Sequence, residues 1–104
     1  MIEINDANFK EKVLESEDLM IVKFHAEWCG PCKVLNQVLE VIENSLPDNV
    51  KIVAVNVDFN PETSQEYGIR NIPAVLFFKN GEIVDRQIGS TSRGVFEAKI
   101  KALS

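Results

Sequence analysis

The amino-acid sequence predicts an α/β fold, a three-layer sandwich in which helices cover both faces of a central, mixed five-stranded sheet. Short β-rich runs alternate with amphipathic helical stretches in the first half of the chain, and strands joined by helices pair in parallel. The second half carries the hairpin signal Asn80-Gly81, which requires an antiparallel pair. No repeat or linker interrupts this pattern, so we expect a single domain over residues 1–104.

The first three elements follow from local residue patterns. Ile2–Ile4 is a short apolar strand, and Asp6–Glu15 is a helix with Asn5 or Asp6 as its cap. The residues expected on the buried face of that helix are Phe9, Val13 and Leu14. Leu19–Ala26 is mostly apolar and β-branched, which is typical of a strand buried on both faces.

A long helix and a further strand come next. Pro31 suits the first turn of a helix that runs to about Leu46, because its missing N–H costs nothing there. The apolar residues at helical spacing are Val34, Leu35, Val38, Leu39, Ile42 and Leu46. Pro47 and its neighbours stop the helix, and Val50–Val57 is a second buried strand.

In the last third of the chain a short helix is followed by two strands and a final helix. Asn60–Tyr67 is a short helix, Ala74–Phe78 is an apolar strand, and Ile83–Ile88 returns antiparallel to it. Thr91 or Ser92 caps the final helix. The residues expected to point inward from it are Val95, Phe96, Ile100 and Leu103.

Composition and charge restrict the class of partner. The chain has 104 residues, of which 45% are hydrophobic and 26% charged, as in an ordinary globular domain. Its net charge of −5 argues against nucleic acid, and no apolar run approaches the ~20 residues that a membrane span needs. The first residues lack the pattern of a signal peptide. We expect a cytoplasmic protein that acts as a monomer.

The chemistry is expected at the pair Cys29-Gly30-Pro31-Cys32, which holds both cysteines of the chain. A bridge across so short a loop stabilises little, so a disulfide here is better explained as one that is made and broken. At the start of a helix, free N–H groups and the helix dipole favour the thiolate. Cys29 is therefore the candidate nucleophile, and Cys32 is placed to resolve a mixed disulfide. We expect Trp28 to shield the pair and Gly30 to admit a partner backbone.

Two other interpretations of the cysteines are weaker. Tetrahedral zinc needs four ligands, but the chain has no second cysteine pair and His25 is its only histidine. The sequence therefore predicts no metal site. Two inert buried cysteines would not explain why Gly30 and Pro31 stand at a strand-to-helix turn.

These residues resemble the active-site signature of the thioredoxin family. The run from Phe24 to Lys33, with Trp28-Cys29-Gly30-Pro31-Cys32 at its centre, carries the resemblance. It continues in the same order and spacing through Asn56-Val57-Asp58, Tyr67-Gly68-Ile69-Arg70, Ile72-Pro73, Phe78-Lys79-Asn80-Gly81 and Ile88-Gly89. The likeness covers essentially the whole chain and implies the thioredoxin fold.

The resemblance also implies how clients are bound. Pro73 matches the family's cis-proline beside the dithiol, and the backbone of Ile72 is expected to pair with an extended client segment. Gly89 matches a loop where a side chain would obstruct docking. The implied client-binding patch consists of Trp28, Gly30, Pro31, Ile72, Pro73 and Gly89. The family implies a thioredoxin reductase as electron donor, and we expect no cofactor bound to this chain because it has no Gly-rich phosphate loop.

The chain departs from the family pattern around Lys23. Lys23 occupies the place of a buried carboxylate that accepts protons beneath the second cysteine, and Ala54 replaces the lysine often found opposite it. His25 replaces a tryptophan, and we expect it to have a packing role. Gln37 replaces a helix-kinking proline, which predicts a straighter helix.

Three interpretations of Lys23 stay open from the sequence. Its stem lets the ammonium reach water. A neutral amine, favoured by burial, could take the Cys32 proton. We favour a retained ammonium that stabilises the thiolates and makes the protein a stronger oxidant.

The sequence thus predicts a protein disulfide oxidoreductase that reduces client disulfides by dithiol–disulfide exchange. Two alternatives remain: a disulfide donor or isomerase with a more oxidising potential, and a non-catalytic subunit that binds a larger protein through the same patch.

Overall fold

The computed structural model describes all residues from Met1 to Ser104. Its strands are β1 Ile2–Ile4, β2 Leu19–His25, β3 Val50–Asn56, β4 Ala74–Lys79 and β5 Glu82–Ile88. Its helices are a π-helix at Lys10–Leu14, α1 Gly30–Glu43, α2 Pro61–Glu66 and α3 Arg93–Leu103. None of these helices has the length and apolar character needed to cross a bilayer.

The five strands form one mixed sheet in the order β1-β3-β2-β4-β5. β3 pairs in parallel with both β1 and β2, and β4 pairs antiparallel with β2 and β5. This confirms the predicted α/β fold. The crossover helices put β2 in the middle of the sheet, and the chain enters α1 from its carboxyl end.

The alternation of side chains along the strands divides the core into two apolar clusters. One lies beneath α1 and α3 and is formed by Leu19, Ile21, Leu35, Leu39, Ile42, Val50, Ile52, Val75, Phe77, Phe96 and Ile100. The other lies beneath the π-helix and α2 and is formed by Ile4, Phe9, Val13, Met20, Val22, Phe24, Val53, Val55, Ala74, Leu76 and Phe78. Helices therefore cover both faces, as predicted.

Three aromatic rings pack against one another in the second cluster. Phe78 of β4 meets Phe9 at 5.7 Å and Tyr67 at 5.3 Å between ring centroids, both edge to face, and Phe9 lies 5.4 Å from Tyr67. Edge-to-face pairs at these separations are favourable beyond the area that they bury.

The predicted Asn80-Gly81 hairpin is confirmed. Both residues have positive φ, 52° and 81°, as a type I′ turn requires. A Cβ on Gly81 would lie 3.0 Å from the carbonyl oxygen of Leu14, so glycine is also needed for the close approach of the π-helix.

The predicted helix Asp6–Glu15 is a regular helix, of the π type, only from Lys10 to Leu14, and Asp6–Asn8 form the turn that leads into it. Asn5 and Asn8 exchange hydrogen bonds between each backbone N–H and the other's side-chain oxygen, at 2.8 and 3.0 Å, which is the reciprocal arrangement of a capping box and confirms Asn5 as the cap of this segment. Asp6 does not cap this segment. Its carboxylate accepts the backbone N–H groups of Glu62 and Thr63 at 3.2 and 2.9 Å, and so caps α2 instead.

Three smaller expectations are also corrected. α1 ends at Glu43 rather than near Leu46, because Ser45 and Leu46 donate to carbonyls three residues back and tighten the chain into turns. Val34 and Val95 are exposed, 60% and 39%, because each lies on the outer side of its helix.

Candidate active site

The two cysteines lie where β2 gives way to α1. Cys29 is the N-cap of α1 in an extended conformation, and Cys32 lies in the first turn. Their Cα atoms are 5.2 Å apart and their sulfurs form a disulfide. The Cys32 N–H donates to the Cys29 sulfur at 3.1 Å, so the cap sulfur accepts one of the free amides of the helix start.

Both cysteines are buried in this disulfide form. Cys29 is 4% exposed and Cys32 2%, and both pack with Ala26. The partly buried side chains against this group are Val57 and Ile72. Position at the cap, rather than exposure, distinguishes the two sulfurs.

Trp28 directly precedes the pair, and its shielding of the sulfurs stays a prediction. It is 70% exposed, and its indole N–H donates to the Asp58 carboxylate at 2.9 Å. The hydrogen bond turns the ring towards the segment after β3. Gly30 beside it faces open space, since a Cβ there would meet nothing within 4 Å.

Pro73 and Gly89 meet next to Ile72, which packs against the cysteine cluster. The Ile72–Pro73 peptide bond is cis, in agreement with the resemblance, and Pro73 is buried. The Gly89 N–H donates to the Pro73 carbonyl at 2.8 Å, and Gly89 has φ of 81°, a left-handed conformation that favours glycine. The backbone of Ile72 takes part in none of the chain's backbone hydrogen bonds and remains available to a partner.

Lys23 lies under α1 and does not reach bulk water along its stem. The residue is 3% exposed, and its ammonium donates to the Asn36 side-chain oxygen at 2.6 Å. The Asn36 side-chain amide donates in turn to the Glu40 carboxylate at 2.9 Å. Desolvation lowers the pKa of Lys23, while the charges of Glu3 and Glu40 act to raise it.

His25 is not merely a packing residue. Its Nε2 lies 3.1 and 3.0 Å from the two carboxylate oxygens of Glu3 on β1. Ala54 stands in register with both Glu3 and Lys23 on the neighbouring strands, so these three residues form a row across the sheet.

Three residues of the site were not predicted from the sequence: Glu3, Asn36 and Glu40. Cys32, Asn36 and Glu40 are spaced four apart, a periodicity that places them on one side of a helix and could have indicated the last two. Glu3 reaches the site only through the pairing of β1 with β3, for which the sequence contains no local signal.

The fold and the site define a class of protein: a small α/β protein with a CxxC disulfide at the start of a helix, the arrangement of a redox-active dithiol. Comparison with known proteins gives the family. The thioredoxin family model matches residues 1–102. The chain is 50% identical over 86 residues to thioredoxin of Rickettsia typhi, which covers 83% of this chain and 82% of the relative.

Two further relatives come from other organisms. Thioredoxin of Porphyra purpurea is 38% identical over 98 residues, 94% of this chain and 92% of the relative. Thioredoxin 1 of Synechococcus elongatus is 43% identical over 90 residues, with 86% and 84% covered. The chain belongs to the thioredoxin family, and it is a thiol–disulfide oxidoreductase. This confirms the predicted family and activity.

Proposed function

We propose that the protein reduces disulfides of client proteins, with Cys29 as the attacking sulfur and Cys32 as the resolving sulfur. The observation that carries this assignment is the position of the Cys29 sulfur at the N-cap of a 14-residue helix, where it accepts the Cys32 N–H. The free amides and the dipole of the helix stabilise negative charge at that sulfur. Cys32 lies one turn further in, within reach of Cys29.

The exchange proceeds in two balanced steps. The Cys29 thiolate attacks one client sulfur, which forms a mixed disulfide and releases the other client sulfur as a thiolate. Cys32, deprotonated, then attacks the Cys29 sulfur, which forms the Cys29–Cys32 disulfide and releases the second client thiolate. The client gains two electrons and, with protons from solvent, becomes a dithiol. This protein loses the same two electrons.

The client-binding patch is proposed to consist of Trp28, Gly30, Pro31, Ile72, Pro73 and Gly89. Support comes from the unpaired backbone of Ile72, which can add a client strand to the end of the sheet. It also comes from the exposed ring of Trp28 and the open space beside Gly30. None of the six residues of the proposed patch carries a charge.

The family suggests disulfide-bearing clients and a reductase partner in general. We propose that a thioredoxin reductase, which would itself hold the nucleotide and flavin, returns the electrons to the Cys29–Cys32 disulfide. We further propose that the protein acts as a monomer in the cytoplasm, where thiols are kept reduced.

Serine variants of the two cysteines test the roles of the sulfurs, each serving as the matched control of the other. With insulin as client, Cys32→Ser is expected to accumulate a mixed disulfide that mass spectrometry detects, because the resolving sulfur is absent. Cys29→Ser is expected to form none, and both variants should lose turnover. A mixed disulfide that forms with Cys29→Ser but not with Cys32→Ser would reverse the assignment.

The direction of exchange is tested by the potential against glutathione. The reduction potential of a reductase is expected to be about −270 mV, and a potential of about −120 mV would contradict the proposed direction.

The patch is tested at Trp28. Trp28→Ala is expected to lower kcat/KM for insulin by about tenfold, since exposed aromatic anchors often carry 1–2 kcal/mol or more of binding. Reduction of a small disulfide that makes no such contact should be unchanged. Val41→Ala, an exposed position on the far half of α1, provides the control. Equal losses on the large and small disulfides would contradict a docking role.

A further inference from the structure

A polar cavity of about 400 Å³ lies between the sheet and α1, directly beside the resolving cysteine. Its floor is the row Glu3, Ala54 and Lys23, in register on three adjacent strands. Ala54 fills little space, so the row leaves room between the carboxylate and the ammonium. Cys32 lines the same cavity from α1.

Asn36 connects the ammonium to α1. It accepts from Lys23 Nζ at 2.6 Å and donates to Glu40 at 2.9 Å. An ammonium can only donate and a carboxylate can only accept, so the two partners fix which end of the amide faces Lys23. Asn36 follows Cys32 by four residues on the same helix face, where neighbouring Cβ atoms are about 5–6 Å apart. The hydrogen bond therefore keeps the ammonium close to the resolving cysteine.

Glu40 is the carboxylate of α1 that is linked to Lys23 through Asn36, whereas Glu3 and the amino terminus have other partners. The other ionisable residues that line the cavity are Met1, Glu3, His25, Glu27 and Lys33. Glu3 is paired with His25 at 3.0 Å. The amino group of Met1, just before β1, is bound by the Glu43 carboxylate at 2.9 Å.

We propose that Asn36 and Glu40 are positioning residues that hold the Lys23 ammonium against the cysteine pair and shift its thiol–disulfide equilibrium towards the dithiol. The inference rests on the exchange at Cys29 and Cys32 proposed above. When a donor dithiol reduces the pair, two electrons enter, the Cys29–Cys32 bond breaks and a disulfide bond forms in the donor. Of the donor's two thiol protons, one ends on one cysteine, which becomes a thiol, and the other passes to solvent, so the second cysteine is left as a thiolate. The disulfide carries no charge, whereas the thiolate is stabilised by a nearby cation. A fixed ammonium therefore favours the reduced form.

The test is the equilibrium of each variant with reduced and oxidised glutathione. Lys23→Met and Asn36→Leu are each expected to make the pair about tenfold harder to reduce, which is about 30 mV for a two-electron couple. Glu40→Gln, at an exposed site that folding tolerates, is expected to give a change of about threefold in the same direction. Glu43→Gln is the matched control, since it removes a carboxylate from the next turn that binds the amino terminus instead. It should stay within about twofold of the natural sequence.

A double variant separates positioning from a general structural effect. Because Asn36 acts through Lys23, Asn36→Leu added to Lys23→Met is expected to change the equilibrium no further. A second tenfold change in that background, or an unchanged equilibrium in both Asn36→Leu and Glu40→Gln, would overturn the inference. If the protein of natural sequence formed no Cys29–Cys32 disulfide in the glutathione equilibrium, the proposed disulfide exchange would be contradicted instead.

Discussion

The two faces of the sheet are built from the same five strands but carry different side chains at the carboxyl end of β2. On the face beneath the π-helix and α2, apolar side chains continue along β2 to Phe24. On the face beneath α1 and α3, the β2 row begins with Leu19 and Ile21 and then becomes Lys23 and His25. We call these the apolar face and the mixed face.

The difference shows how one small sheet combines stability with chemistry. The apolar face places its largest rings around Phe78, where burial and edge-to-face contact add to stability. Near Cys32, the mixed face buries the hydrogen-bonded ammonium of Lys23 in place of an apolar side chain. Buried charge opposes stability unless it is well paired. The two faces should therefore respond oppositely to substitution.

The largest expected effect comes from breaking the apolar face. Phe78→Ala removes the ring that contacts both Phe9 and Tyr67, and should lower the free energy of unfolding by about 3–5 kcal/mol. Urea denaturation measures the loss. Phe59→Ala is the matched control, because Phe59 is 76% exposed and its loss should cost under about 0.5 kcal/mol. Similar losses in both variants would refute the assigned role of the aromatic cluster.

A smaller effect, of opposite sign, is expected on the mixed face. Lys23→Met should raise the free energy of unfolding by about 1 kcal/mol at pH 7, since a buried ammonium is replaced by an apolar chain of similar length. Burial lowers the pKa of Lys23 below its ordinary value of 10.5, so the unfolded chain binds more protons in the window below 10.5. The natural protein should therefore gain stability as pH rises through that window.

The measurement is urea denaturation of both proteins from pH 7 to 10.5. The advantage of Lys23→Met should shrink as the pH rises. An advantage that stayed constant, or grew, would contradict a buried ammonium.

The smallest effect is expected at Tyr67, on the apolar face. Tyr67→Phe keeps the ring contacts and should change stability by under about 0.5 kcal/mol at pH 7. Desolvation, with a contribution from Glu66, raises the pKa of Tyr67 above its ordinary value of 10.0. Above pH 10 the folded state holds a proton that the unfolded state releases, so the natural protein should lose stability relative to Tyr67→Phe.

Unfolding in urea between pH 9.5 and 11 measures this difference. The alkaline slopes assigned to Lys23 and Tyr67 thus have opposite signs. Identical slopes for the natural protein and Tyr67→Phe would contradict the desolvation of Tyr67.

Most of the sheet could be predicted because β2, β3 and β4 each carry an apolar run, and a strong turn signal joins β4 to β5. Asn80-Gly81 is sufficient to predict its hairpin, since few other residues tolerate positive φ at both positions. The segment after β1 was less predictable. The side chain of Asp6 was a candidate for the local cap, but it binds α2 at Thr63, which lies 57 positions further along the sequence. Local propensities cannot predict such a contact, because only folding brings the two residues together.

The sequence by itself determined the α/β alternation, the placement of Cys29 and Cys32 at a helix start, and the family. These depend on periodicity and on residues adjacent in the chain. The tertiary structure alone decided what surrounds Lys23. Strand register sets Glu3 and Ala54 beside it, and the packing of α1 brings Asn36 to its ammonium. The physical reason is that the charge state of a buried group depends on neighbours in space, and those neighbours come from three separate segments of the chain.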